Sequence, residues 1–295
     1  MQTFSIMAPA KLNLFLHVTG RRPDGYHNLQ TVFQLLDYGD ELHLKLRSDK
    51  QLRLNCTGPR TLADTASEDN LVIRAARLLA LEAPPSSDAL PGVDIRLVKK
   101  LPAGGGLGGG SSDAASTLLA LNYLWGLGLG ADQLATIGSK LGADVAVFVR
   151  GQSAWAEGIG DELTPLELPE RWYLVVTPEC HISTPGIFSH PELTRDTPAI
   201  TMAAFFTGPT RNDCERVARS LSGNIDKALI FLENFGEAKM TGSGASVFLA
   251  FDSKEEAGKI ARELPAQWQN FVARGVNSSP ALRQMAEIAG CTGET

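Results

Sequence analysis

A glycine-rich segment between a predicted strand and a predicted helix constrains this chain more than any other part of its sequence. Residues 101–115 read Leu-Pro-Ala-Gly-Gly-Gly-Leu-Gly-Gly-Gly-Ser-Ser-Asp-Ala-Ala, and six of the residues from 104 to 110 are glycine. Glycine has no Cβ, so its backbone can adopt positive φ and approach a ligand closely. Free N–H groups that lead into a helix N-terminus form an anion site. The segment therefore predicts a cradle for the phosphates of a nucleotide.

The residues after this glycine loop predict a helix rather than a flexible linker. Apolar side chains recur on one helical face, namely Leu118, Leu121, Leu124 and Trp125. Either Ser111 or Ser112 is expected to cap the helix, and Asp113 suits its positive end. Gly/Ser linkers rarely stand between a regular strand and a regular helix, so the linker interpretation is disfavoured.

Two well-known phosphate loops do not fit the segment. The P-loop pattern fits from residue 105, but Ser111 stands where the lysine must be. The dinucleotide pattern G-x-G-x-x-G fits from residue 104. It requires a second strand that ends in an acid roughly 20 residues further on. A second helical stretch over residues 132–141 follows instead, so the loop is of another kind.

Composition limits the function classes. The chain has 295 residues, of which 43% are hydrophobic, and this predicts one large or two ordinary domains. The net charge of −6 disfavours nucleic acid and anionic membranes as partners. The sequence shows no signal-peptide pattern, no apolar run of membrane-spanning length and no C-x-x-C pair. We therefore expect a cytoplasmic protein without a zinc site.

Several polar residues outside the loop are candidates for chemistry. Lys11 and Asn13 are two residues apart in a predicted strand, so their side chains lie on the same face. Lys11 can also be an ordinary solvated lysine. Asp144 lies in an apolar stretch, where it is expected to be functional, a helix cap or part of a structural ion pair. Tyr26 and His27 follow a Pro-Asp-Gly turn, and they either project into a cleft or lie on the surface.

Three segments together resemble the GHMP kinases, the superfamily of galactokinase, homoserine kinase, mevalonate kinase and phosphomevalonate kinase. The segments are Pro9-Ala-Lys-Leu-Asn-Leu14, residues 102–112 of the glycine loop, and Thr241-Gly-Ser-Gly-Ala245. The resemblance implies an α+β fold of two domains, expected at residues 1–160 and 161–295, with the active-site cleft between them. It also implies a left-handed βαβ crossover in the first domain and an α+β sandwich in the second.

Further segments are similar to one branch of that superfamily, which uses ATP to phosphorylate the 2-hydroxyl of a cytidine diphosphate methylerythritol in the non-mevalonate isoprenoid pathway. They are Arg22-Pro-Asp-Gly-Tyr-His27, Leu29-Gln-Thr-Val-Phe-Gln34 and Leu141-Gly-Ala-Asp144. The resemblance implies that Lys11 and Asp144 are the catalytic pair. It implies substrate contacts from Asn13, Tyr26, His27, Thr184 and Phe188, with Tyr26 and Phe188 sandwiching the cytosine. It implies nucleotide contacts from Asn70, Lys99, Pro102, Gly104, Gly105, Gly106, Gly108, Gly109, Gly110, Ser111 and Ser112.

The resemblance also bears on the metal and on the alternatives. Mg²⁺ is expected to arrive with ATP, with Ser111 or Ser112 as an additional ligand. One departure is Ala146, where that branch usually has a proline that would stiffen the backbone beside Asp144. A kinase for mevalonate, homoserine or a sugar is the nearest alternative, and a regulatory nucleotide-binding protein is the alternative from another class.

Overall fold

A computed structural model describes residues 3–58, 69–83, 90–180 and 182–291. The chain starts with a long antiparallel pair, β1 (Phe4–Arg21) and β2 (His27–Leu46), joined by the predicted turn. Bulges interrupt the pairing after Pro9, Asn13 and Val18. Both faces of this pair are covered, because the successive residues Lys11 and Leu12 point to opposite faces and are both buried.

The sequence predicts separate strands near 30–36 and 41–47, and this prediction is wrong, because β2 runs through both without a break. The strand passes the crowded point at Gly39, where a Cβ would overlap the carbonyl oxygen of Ala8. A glycine usually weakens a strand, but here it lets two backbones approach closely. The turn-like stretch Tyr38-Gly39-Asp40 is therefore part of the strand.

A parallel crossover follows the β1–β2 pair. It consists of β3 (Leu52–Thr57), α1 (Leu71–Ala80) and β4 (Val93–Val98), and β3 pairs with β4 in parallel. Asn70 caps α1, accepting a hydrogen bond of 2.9 Å from the Val72 backbone N–H. The sequence predicts a helix capped by Asn70 or Asp69 and running to about Leu81, and this start is confirmed at Asn70. The left-handed sense of the crossover stays a prediction.

Three further helices cover this part of the sheet: α2 (Gly109–Leu124), α3 (Ala131–Ser139) and α4 (Val145–Arg150). Every residue of α2 from Ser112 to Leu121 is buried. A helix that is covered on all sides lies inside a core rather than on its surface. The glycine loop therefore leads into a helix whose middle is buried on all sides.

The second half of the chain combines helices with shorter strands around a second core. Its elements are β5 (Ala154–Glu157), β6 (Glu162–Pro165), β7 (Trp172–Thr177), α5 (Thr184–Ser189), α6 (Met202–Thr207), α7 (Glu215–Leu221), α8 (Gly223–Glu233), β8 (Lys239–Met240), β9 (Val247–Phe251), α9 (Lys254–Glu263), β10 (Gln269–Val276) and α10 (Pro280–Cys291). Of these, α5, α6 and α10 were not predicted. Residues of β7, α7, α8 and β9 form the second core.

The two halves share one sheet with the strand order β3-β4-β2-β10-β7-β9-β8. The main link is β10, which lies between β2 and β7 and whose Gly275 and Val276 pair with Leu36 and Leu35 of β2. Strand β5 also pairs with β2. The last helix, α10, then returns to the first half, where the Met7 N–H donates to the Gln284 Oε1 at 2.8 Å. The last helix thus contributes to the core of the first half of the chain.

Candidate active site

The glycine loop turns sharply before it enters α2. Gly104, Gly106 and Gly108 have φ of 69°, 74° and 71°, a region that other residues rarely adopt. The N-cap of α2 is Gly108, and no side chain caps the helix. The predicted cap at Ser111 or Ser112 is therefore wrong, because the left-handed backbone at Gly108 starts the helix two residues before Ser111.

A cleft of about 440 Å³ opens beside this loop. The predicted nucleotide contacts that line it are Asn70, Lys99, Pro102, Gly104, Gly105, Gly106, Gly108, Gly109, Gly110 and Ser111. Ser112 is fully buried instead, and its Oγ has no hydrogen-bond partner among the described residues. The N-terminal N–H groups of a helix attract anions, so this cleft has the electrostatics of a phosphate site.

The three segments of the family resemblance meet at one place. The Asn13 N–H donates to the Thr241 Oγ1 at 2.9 Å, and this hydroxyl donates to the Gly106 carbonyl oxygen at 3.3 Å. The Lys11 N–H donates to the Leu107 carbonyl oxygen at 3.0 Å. Residues more than 200 positions apart in the sequence thus hold the glycine loop against β1.

Gly106→Ala tests how tightly the loop is held. The added Cβ would overlap the Thr241 carbonyl oxygen, and φ is +74°. Gly126→Ala is the matched control, because its φ is +64° but nothing lies within 4 Å of the added Cβ. Left-handed backbone alone costs a non-glycine residue about 1–2 kcal/mol. We expect Gly106→Ala to lower Tm further than the control, and to raise KM for ATP at least about tenfold. Equal effects of the two variants on Tm and KM would contradict this.

Lys11 and Asp144 form the centre of the site. Lys11 is only 3% exposed, and its Nζ lies 3.2 Å from Asp144 Oδ2 and 2.5 Å from Asn13 Oδ1. The same ammonium lies 5.1 Å from the centre of the Phe33 ring, a cation–π distance. The interpretation of Lys11 as a solvated lysine is therefore wrong, and the predicted contact between Lys11 and Asp144 is present.

Asp144 stands directly before α4 but makes no capping hydrogen bond. Its side chain is 31% exposed, so the carboxylate is accessible while it is bound to Lys11. Asp144 thus occupies the N-cap position of α4 without a side-chain cap, whereas the ion pair exists. Ala146, where a proline was expected, is the second residue of α4 and is buried.

The sequence patterns do not indicate Asp40, a further charged residue beside the loop. Lys99 Nζ donates to Asp113 Oδ2 at 2.7 Å and also to Asp40 Oδ2. Asp40 in turn accepts hydrogen bonds from the backbone N–H groups of Lys100 and Leu101, at 2.5 and 2.8 Å. Lys99 thus lines the cleft as an anchored cation between two carboxylates.

Burial is the largest single influence on the pKa values of Asp113 and Lys99. It raises the pKa of Asp113 above its usual range, although the charge of Lys99 acts in the opposite direction. For Lys99 itself, burial lowers the pKa, but Asp113 and Asp40 outweigh this effect and the net shift is upward. Lys99 is therefore charged at neutral pH, and the cluster fixes the strand end that precedes the loop.

The predicted substrate residues form a second group at the turn after β1. His27 is buried, and its ring centre lies 5.3 Å from that of Phe188. Thr184, the first residue of α5, has its Oγ1 2.7 Å from Ser243 Oγ, next to Thr241. Tyr26 is 61% exposed. In the structure the Phe188 ring packs against the His27 ring at a tilt of 32°, and the sandwich of Tyr26 and Phe188 stays a prediction.

Neither a metal-binding cluster nor a membrane-spanning helix is found among the described residues. The described ranges contain no group of three or more His, Cys, Asp or Glu side chains that could hold a metal ion. In the part of the chain that the structure describes, no helix is both long enough and apolar enough to cross a membrane.

Comparisons with known proteins agree with this geometry. The family described as GHMP kinases N terminal domain matches residues 70–152, and the family described as GHMP kinases C terminal matches residues 201–270. The 4-diphosphocytidyl-2-C-methyl-D-erythritol kinase of Pseudomonas paraeruginosa is 52% identical over 284 residues, which cover 96% of this chain and 98% of that protein. The protein of the same name from Hahella chejuensis is 49% identical over 293 residues, with 97% and 98% coverage.

Solved structures are similar as well. A crystal structure of 4-(cytidine 5'-diphospho)-2C-methyl-D-erythritol kinase has a TM-score of 0.78 and 32% identity, covering 92% of this chain and 100% of that one. The mevalonate kinase of Methanococcus jannaschii shares the fold, with a TM-score of 0.66 at 16% identity over 94% of this chain and 98% of that one. The predicted α+β fold of the GHMP kinases is confirmed, while the domain limits 1–160 and 161–295 stay a prediction. By sequence and by fold, this chain belongs to the 4-diphosphocytidyl-2-C-methyl-D-erythritol kinases within the GHMP kinase family.

Proposed function

We propose that this chain transfers the γ-phosphoryl group of ATP to the 2-hydroxyl of 4-diphosphocytidyl-2-C-methyl-D-erythritol. The observation that carries the proposal is the contact of 3.2 Å between Lys11 and the accessible carboxylate of Asp144, beside the glycine loop. Phosphoryl transfer needs a triphosphate cradle, a cation at the reacting centre and a group that orients the acceptor hydroxyl. The loop, Lys11 and Asp144 supply these three parts.

The chemistry follows from the positions of these groups. Asp144 accepts or orients the proton of the 2-hydroxyl as its oxygen attacks the γ-phosphorus. The bond between the γ-phosphorus and the β–γ bridging oxygen breaks, and ADP leaves. Lys11 holds the Asp144 carboxylate in place through their contact of 3.2 Å, and its ammonium offsets the negative charge at the reacting centre. Asn13, held by Lys11 and by Thr31 Oγ1 at 2.9 Å, orients the polar groups of the substrate.

The nucleotide occupies the cleft of the glycine loop in this proposal. Its phosphates accept hydrogen bonds from the loop and from the first N–H groups of α2. Ser111 lines the cleft, and its hydroxyl suits Mg²⁺, a hard cation that prefers oxygen ligands, whereas Ser112 is fully buried. Mg²⁺ bound with ATP would neutralise phosphate charge at this point. Asn70 and Lys99 also line this cleft.

The cytidine end of the substrate lies at Tyr26, His27 and Phe188, with Thr184 nearby. A ring clamp suits a pyrimidine base better than the aliphatic acceptor of mevalonate or homoserine kinase. We also propose that the protein works in the cytoplasm, on small molecules and without nucleic acid or membrane as a partner.

Release of ADP from ATP and Mg²⁺ tests the proposal. The acceptors are 4-diphosphocytidyl-2-C-methyl-D-erythritol, mevalonate, homoserine and galactose, assayed side by side. We expect turnover only with the cytidine compound. Turnover with another acceptor would keep the kinase and refute the clamp, and nucleotide binding without turnover would favour the regulatory alternative.

Tyr26→Ala tests the clamp separately. Stacking of an aromatic side chain on a base contributes about 1–3 kcal/mol, so we expect KM for the cytidine substrate to rise about 5-fold to 150-fold. Phe206→Ala is the matched control, because Phe206 is 51% exposed and lies on α6. An unchanged KM in Tyr26→Ala, measured by steady-state kinetics, would exclude Tyr26 from the clamp.

A further inference from the structure

Arg195 makes an unusually complete set of contacts around the proposed pyrimidine subsite. Its Nε donates to His27 Nε2 at 3.1 Å, and its Nη1 donates to the Leu193 carbonyl oxygen at 3.0 Å. Its Nη2 donates to the carbonyl oxygens of Phe188 and His190, at 2.9 and 2.8 Å. One planar guanidinium thus joins β2 to the segment from Phe188 to Leu193.

The local structure explains why a cation is needed there. The helix α5 has only six residues and ends at Ser189, so the Phe188 carbonyl in its last turn lies at the end of the helix, where such groups need partners from outside the helix. Basic side chains satisfy such carbonyls and match the negative end of a helix. Arg195 binds the carbonyl of Phe188 in this way. It therefore fixes the backbone that carries the Phe188 ring.

The same contact fixes the state of His27. Because Nε2 accepts a hydrogen bond from Arg195, the hydrogen-bond network assigns the ring proton to Nδ1. Burial first, and then the charges of Arg195 and Arg21, lower the pKa of His27. The ring is thus held neutral, 5.3 Å from the Phe188 ring. Because Arg195 already occupies Nε2, His27 can contact the base through its backbone.

We propose that Arg195 is a positioning residue for the pyrimidine subsite: it holds Phe188 and His27 in place for the base and thereby sets the affinity for the cytidine end of the substrate. This inference rests on the proposed function. A binding site whose groups are held in the bound arrangement pays less ordering entropy when the ligand arrives. The contacts of Arg195 in the structure do not include Lys11 or Asp144, so its effect is on binding rather than on the transfer step.

Arg195→Met removes all the donors and keeps an apolar stem. We expect KM for the cytidine substrate to rise at least about tenfold, with kcat and KM for ATP changed less than about threefold, the pattern of lost uniform binding. Arg195→Lys keeps the charge but not the planar fork, and we expect an intermediate KM. Arg171→Met is the matched control, because Arg171 is partly exposed and pairs with Asp252 in the same half of the chain.

A measurement on the free protein separates positioning from general stability. We expect ¹⁵N NMR of His27 to show Nε2 as the acceptor in the wild type, and the titration midpoint of His27 to rise in Arg195→Met. An unaltered midpoint, an unaltered KM for the cytidine substrate, or an equal rise of both KM values would overturn the role of Arg195. A wild-type protein that fails to turn over the cytidine substrate would overturn the proposed function, and the subsite with it.

Discussion

Asp144→Asn lowers kcat by about 10²- to 10⁴-fold, the range of a lost general base, while KM for ATP stays nearly constant. The amide keeps the shape of the side chain and cannot accept the hydroxyl proton in the same way. The Asp144 side chain is 31% exposed and makes no capping hydrogen bond, so we expect the variant to fold. Its Tm is measured as well, because the amide leaves the buried Lys11 ammonium without its carboxylate partner. Steady-state and single-turnover kinetics with the cytidine substrate measure the effect.

Asp132→Asn is the control for Asp144→Asn. Asp132 also lies at the start of a helix and also pairs with a basic residue, Arg150, but its side chain is 86% exposed. We expect this variant to keep the wild-type kcat. If Asp144→Asn turned over at the wild-type rate, Asp144 would be neither base nor orienting group, and the proposed mechanism would fail.

Lys11→Met lowers kcat by about 10²- to 10³-fold, the usual cost of removing one preorganised electrostatic group. Methionine keeps an apolar body against Phe33 but removes the ammonium that contacts Asp144 and Asn13. Lys259→Met on α9 is the exposed control, with no expected change in kcat. Tm of both variants is measured by calorimetry to verify that they are folded.

The double variant Lys11→Met/Asp144→Asn tests whether the two residues act together. Groups that work as a unit show losses far smaller than the product of the single losses. We expect the double variant to have nearly the kcat of the poorer single variant. Fully multiplicative losses would mean that the two residues contribute independently, against their contact of 3.2 Å.

Local patterns predicted those parts of the site that neighbouring residues determine. The spacing of Lys11 and Asn13 placed them on one face of a strand, and their side chains are in contact. The glycine loop, the helix after it and the start of α1 were predicted from residues within a few positions of one another. The position of Asp144 beside Lys11 followed only from the family resemblance, because no local pattern joins residues 133 positions apart.

Features that depend on tertiary contacts escaped prediction. Asp40 lies 59 residues from Lys99 and looks like part of a turn, and only the folded sheet brings the two together. Arg195 is 168 residues from His27, in a segment without periodicity. Helix α10 was missed although Pro280, its first residue, is a common helix start. In each case the decisive partner lies on another element.

The return of the chain end to the first half affects the order of events during synthesis. Val276 of β10 and Ala281 of α10 belong to the same core as Leu35 of β2. Ribosomes add about 5–20 residues per second, so these residues emerge many seconds after the strands and helices that they cover. A nascent chain that ends at residue 268 has the catalytic pair and the glycine loop but lacks β10, the strand that joins the halves. The phosphate cradle is therefore expected to reach its final rigidity only after translation of α10.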